Sequence, residues 1–60
     1  MNPGIDLNKI NAKIQMVKQA AEELNQLGEN FPALARNTVR ILASVKILEI
    51  NVSDLVELDS

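Results

Sequence analysis

The residues that decide the fold lie at positions 7–24, where the chain reads LNKINAKIQMVKQAAEEL. Apolar side chains recur there at steps of three and four, an unbroken heptad rhythm of Leu7, Ile10, Ile14, Val17, Ala21 and Leu24. Side chains at these steps share one face of an α-helix. The stretch therefore predicts an amphipathic helix that packs its apolar face against a partner.

The ends of this first helix have signals of their own. Asp6 is placed to accept a free backbone N–H group as an N-cap, and Ile5 and Ile10 have the spacing of a hydrophobic staple. Gly28 stands where a left-handed glycine would end the helix. The first helix is therefore predicted over residues 7–27.

The heptad rhythm resumes after a short connection. Its positions, polar only at Thr38, are Phe31, Leu34, Thr38, Ile41, Val45, Leu48, Val52 and Leu55. Asn30 can cap this segment, and Pro32 suits a first helical turn. A second helix is predicted over residues 31–57. Two alternatives stay open: residues 46–52 are rich in β-branched side chains, which suit a strand, and a bend near Asn51 would give a short third helix over residues 53–58.

Charged residues alternate in sign along the chain. The blocks are basic (Lys9, Lys13, Lys18), acidic (Glu22, Glu23, Glu29), basic (Arg36, Arg40, Lys46) and acidic (Glu49, Asp54, Glu57, Asp59). A short connection makes consecutive helices antiparallel neighbours, and a fold-back near Gly28 sets each block beside its opposite. The predicted fold is all-α, an antiparallel helical hairpin forming a single domain over residues 1–60. The predicted core layers of the hairpin are Ile10 with Leu48, Ile14 with Val45, Val17 with Ile41 or Leu42, Ala21 with Thr38, and Leu24 with Leu34 or Ala35. The Thr38 hydroxyl is expected to bond to the carbonyl of Leu34.

The second segment is apolar on more than one face. Leu42 and Val56 widen its main stripe, while another face holds Val39, Ala43, Ile47 and Ile50. A helix that is apolar on two faces is expected to be buried on two faces, and small proteins without disulfides often oligomerise. We therefore expect a homodimer, a four-helix bundle with coiled-coil packing. The predicted interface residues are Val39, Leu42, Val45, Ile47, Leu48, Ile50, Val52, Leu55 and Val56.

Composition argues against most chemistry. The chain has no Cys and no His, so it lacks thiolate ligands, disulfides and the usual acid–base residue at neutral pH. Glu22 and Glu23 are neighbours that point about 100° apart on a helix, so they cannot close on one small site. No catalytic, cofactor-binding or metal-binding residue is predicted, no cofactor is expected, and the protein is not expected to be an enzyme.

Net charge and hydropathy limit the partners. A formal charge of −2 disfavours nucleic acid. No apolar stretch approaches the ~20 residues that span a bilayer, and nothing resembles a signal peptide, so a cytoplasmic protein without a membrane partner is expected. The favoured interpretation is a non-catalytic oligomerisation or protein-interaction module. The alternatives are a small nucleic-acid-binding hairpin dimer and an accessory subunit that docks on a larger protein through the second helix.

Overall fold

Two α-helices make up the fold, which a computed structural model describes over residues 4–59, with side chains through residue 57. Helix α1 spans Leu7–Leu27 and helix α2 spans Pro32–Asp59. Contacts join the early part of α1 to the late part of α2, as between Gln15 and Glu49. The helices are therefore antiparallel, and the predicted all-α helical hairpin is confirmed. Residues 1–3 and 60 of the predicted domain lie outside the described residues.

Helix α2 is continuous over its described length, so residues 46–52 form no strand and the chain does not bend near Asn51. The β-branched side chains in this stretch have only a weak preference for strands. The apolar 3–4 rhythm continues past Asn51, and Val52 and Leu55 are half-buried. Packing along this stripe stabilises the helix more than local propensity opposes it.

The end of α1 differs in detail from the prediction. Asp6 caps the start as expected, and its Oδ1 accepts the Lys9 backbone N–H at 3.0 Å. Gly28 ends the helix, but with φ −89° and ψ 16° it is not left-handed. Glycine is needed there for space instead, because a Cβ would lie 2.9 Å from Leu34 Cδ2 and 3.1 Å from the Leu24 carbonyl oxygen.

The start of α2 lies one residue later than predicted. Pro32 is the first helical residue, where its fixed φ suits the helix and its missing N–H needs no partner. The Phe31 carbonyl accepts the Ala35 N–H at 2.9 Å. Phe31 therefore occupies the capping position, and the expected cap, Asn30, lies one residue too early.

The core of the hairpin is narrow and involves only half of each heptad stripe. Ile14 and Ala21 of α1 are buried, and so are Thr38 and Val45 of α2. Their order fits the predicted layers, Ile14 with Val45 and Ala21 with Thr38. Because the Ala21–Thr38 layer is made of small side chains, the helices can approach closely there.

Candidate association surfaces

Polar side chains join the two helices along one side of the hairpin. Gln15 Nε2 donates to Glu49 Oε2 at 2.9 Å, and Lys18 Nζ lies 3.5 Å from the same oxygen. The hydrogen bond from Gln15, with the charges of Lys18 and Lys46, lowers the pKa of the Glu49 carboxyl below its ordinary value of 4.5. The first basic block and the last acidic block therefore meet, as the charge pattern predicts.

The second polar contact lies at the narrow layer. Thr38 Oγ1 lies 2.9 Å from the carbonyl oxygen of Ala35 and 2.9 Å from the side-chain amide of Asn25. The expected bond to the Leu34 carbonyl is wrong by one residue. Asn25 was not anticipated from the sequence, although it lies four residues after Ala21 and so on the adjoining edge of the same face. We call Gln15, Lys18, Asn25, Thr38 and Glu49 the polar seam.

Over the part of the chain that the structure describes, the two middle charge blocks form no ion pair with each other. Among the described residues, no carboxylate lies within 4 Å of Arg36 or Arg40. Both arginines are exposed on α2. Their charges therefore remain at the surface.

Helix geometry places the polar seam and the remaining apolar residues on opposite sides. A residue three positions after a core residue is turned about 60° to one side of the contact, and a residue four positions after it about 40° to the other. Val17 and Lys18 have these two offsets from Ile14 of the core. Leu48 and Glu49 have the same offsets from the core residue of α2. Since the helices are antiparallel, equal offsets lie on the same side of the hairpin.

The side opposite the polar seam is apolar and open. Its residues, which we call the open face, are between 40% and 48% exposed: Ile10, Val17, Leu24, Ile41 and Leu48. They alternate with the buried residues along the two heptad stripes. The hairpin alone therefore leaves these five predicted core side chains in contact with solvent.

A groove of about 240 Å³ continues the open face at the end of the hairpin away from the turn. Ile10 and Leu48 both line it, which supports their placement on one side. Ile5 and Leu55 line it too, so Ile5, two residues before the start of α1, lies beside the late part of α2. The groove is bordered almost entirely by apolar side chains.

A third surface lies on α2 facing away from α1. Ala43 and Ile47 stand two residues either side of buried Val45, which turns them about 200° from the core. They belong to a second heptad series, which we call the back stripe, with steps of four and three: Arg36, Arg40, Ala43, Ile47, Ile50, Asp54 and Glu57. All of its members are exposed. The stripe is basic at one end, apolar in the middle and acidic at the other end.

The predicted interface residues do not all lie on one surface. Val45 is buried inside the hairpin, and Leu42, Val52 and Leu55 are half-buried. Leu48 belongs to the open face. The exposed remainder comprises Val39, Ile47, Ile50 and Val56.

Four residues of the open face are predicted from the sequence to lie in the core of the hairpin: Ile10, Val17, Leu24 and Ile41. The sequence feature that would distinguish the buried from the exposed members of each heptad stripe is the pair of polar residues Lys18 and Asn25, which mark one edge of the apolar face of α1.

Neither helix has, over the described residues, a stretch long and apolar enough to cross a membrane. Within residues 4–59, no cluster of three His, Cys, Asp or Glu side chains is arranged to hold a metal ion.

Comparison of the chain with protein-family models, with curated proteins and with solved structures finds no match in any of the three.

Proposed function

We propose that the protein is a non-catalytic association module that forms a homodimer through its open face. The observation that supports this proposal is the position of five apolar side chains on one side of the hairpin, opposite the polar seam. Two copies packed face to face would place four heptad stripes around one axis. That arrangement is a four-helix bundle.

The exposed area of the hairpin supports the same proposal. The chain exposes 4813 Å², whereas a compact protein of 6.6 kDa exposes about 3,900 Å². The excess is about 900 Å². A standard stable interface covers about 800 Å² on each partner. One contact with a second copy is therefore sufficient to bring the exposed area to that of a compact protein.

A second copy fits the open face better than an unrelated partner does. The face presents the same kind of surface on both helices, medium-sized aliphatic side chains in heptad spacing, and no charged member. An identical face has side chains of the same size and spacing, so the knobs of each copy can enter the holes of the other. Charged residues lie beyond the open face, where they stay solvated in the dimer.

The test is the solution mass of a variant with Val17→Gln and Ile41→Gln, which places two amides at the centre of the open face. Glutamine has a higher helix propensity than valine or isoleucine, so the helices themselves are not weakened. We expect the dimer to dissociate, with a dissociation constant raised at least about tenfold, because four polar groups would be buried without partners in each dimer. Sedimentation equilibrium measures the change.

The matched control is Met16→Gln. This side chain is 60% exposed and lies two residues after Ile14, about 200° from the core on the outer face of α1, so the dimer should be unaffected. A wild-type chain that is a folded monomer at micromolar concentration would contradict the proposal. So would a Val17→Gln, Ile41→Gln variant that associates like the wild type. Capture of a different protein by the wild-type chain but not by this variant would favour an accessory subunit instead.

A further inference from the structure

We infer that the back stripe of α2 is a second contact surface for another copy of this chain, separate from the open face. This inference extends the proposed function, because a chain with two self-association surfaces builds assemblies larger than a dimer.

The back stripe is self-complementary when one of two copies is reversed. Reading along α2, the stripe begins with Arg36 and Arg40, continues through apolar residues, and ends with Asp54 and Glu57. A second α2 running antiparallel, with a two-fold axis near Ile47, sets each basic end beside an acidic end. A parallel arrangement sets like charges together, which disfavours it.

The middle of the stripe suits the same arrangement. In the antiparallel register, Ile47 lies beside its own copy on the two-fold axis, and Ala43 lies opposite Ile50. A small side chain opposite a large one permits close approach of the two helices. Ile47 is 59% exposed and Ile50 is 48% exposed, so both have apolar surface that the hairpin does not cover.

The charges on the stripe are also unfavourable for an isolated helix. Helix α2 has no acidic residue in its first turn and no basic residue in its last turn, and the stripe places arginines early and acids late. Both placements oppose the helix macrodipole. Arg36 and Arg40 form no ion pair within the described part of the hairpin. An antiparallel copy supplies carboxylates to these two arginines.

The two surfaces do not compete for the same residues. The open face of α2 contains Ile41 and Leu48, which flank the core, whereas the back stripe lies on the far side of the helix. A chain with two different two-fold contacts adds further copies until the assembly closes as a tetramer, or it extends as a filament. The wild-type chain is therefore expected to exceed a dimer at low ionic strength, where charge complementarity is strongest.

The test uses two charge-reversed variants and their mixture. One carries Arg36→Glu and Arg40→Glu, and the other carries Asp54→Lys and Glu57→Lys. Each variant alone sets like charges together in the antiparallel pair, so each should stop at the dimer formed through the open face. The equimolar mixture restores opposite charges at both ends, and its mass should again exceed a dimer by sedimentation equilibrium.

Loss of helix does not explain such a result. Both variants improve the match between the charges of α2 and its macrodipole, and circular dichroism should show unchanged helix content. Masses equal to wild type for both variants would overturn the inference, and so would a mixture no larger than its components. If the charge variants become monomers while Val17→Gln, Ile41→Gln stays dimeric, the back stripe is the dimer interface and the open-face proposal is the one that fails.

Discussion

Ala21 and Thr38 set the distance between the two helices. Ala21 is 2% exposed, and Thr38 is fully buried with its hydroxyl hydrogen-bonded. Neither side chain is large, so the layer stays thin, and Asn25 can reach across to the hydroxyl group. Their small size therefore permits the hydrogen bond between Thr38 and Asn25 in the polar seam.

A larger side chain in the Ala21–Thr38 layer should destabilise the hairpin, because it crowds the contact between the two helices. We predict that Ala21→Leu lowers the free energy of unfolding by about 1–3 kcal/mol, because extra methyl groups at a packed layer force the helices apart. The control is Ala12→Leu, at an exposed position of the same helix, which should change stability by less than about 0.5 kcal/mol. Urea unfolding followed by circular dichroism measures both. Equal midpoints for the two variants would show that the layer is not tightly packed.

Residue-level details were the least predictable from the sequence. Gly28 was correctly identified as the end of α1, yet its role is to leave room for Leu34 rather than to adopt a positive φ. The partners of Thr38 depended on the rotation of α1, which brings Asn25 to the contact. Both errors concern interactions between segments, and a local pattern does not specify these.

At the scale of the elements, heptad spacing was sufficient to predict both helices, and the short connection with the alternating charges predicted their antiparallel order. The spacing was not sufficient to predict which half of each stripe would be buried. An a/d stripe is wide enough that a helix can rotate and still bury some of it. The contacts of Lys18 and Asn25 with α2 select one rotation, in which Ile14 is buried and Val17 is partly exposed.

The polar seam should make the pairing of the helices sensitive to acid. The Glu49 pKa is lowered in the folded chain, so its contribution to stability is fully present above the ordinary value of 4.5 and is lost as the pH falls through the lowered value. We predict that Glu49→Gln lowers the urea midpoint at about pH 7 and that this difference from wild type disappears in acid, as the pH falls through the lowered pKa and the wild-type carboxyl takes up its proton.

The control for this prediction is Glu22→Gln, which removes an exposed carboxylate that has no ion pair within the described part of the chain. Its midpoint should differ from wild type by the same small amount at both pH values. A Glu49→Gln effect that persists in acid would mean that packing of the side chain, rather than its charge, stabilises the seam.

At the scale of the whole molecule, the hairpin is a rod of 45 × 16 × 14 Å with three distinct sides. The polar seam fixes the two helices, the open face is available to a second copy, and the back stripe faces away from both. The sequence predicted an association surface on the second helix. It did not predict that α1 would leave apolar side chains exposed beside those of α2, as Ile10, Val17 and Leu24 are in the hairpin.

The most direct test of the open-face dimer is an isotope-filtered NMR measurement on an equal mixture of labelled and unlabelled chains. It detects only contacts between different copies. We predict intermolecular NOEs among the methyl groups of Val17, Ile41 and Leu48, because these lie at the centre of the paired open faces. Absence of intermolecular NOEs at all three, in a sample that remains folded as a hairpin, would contradict the account.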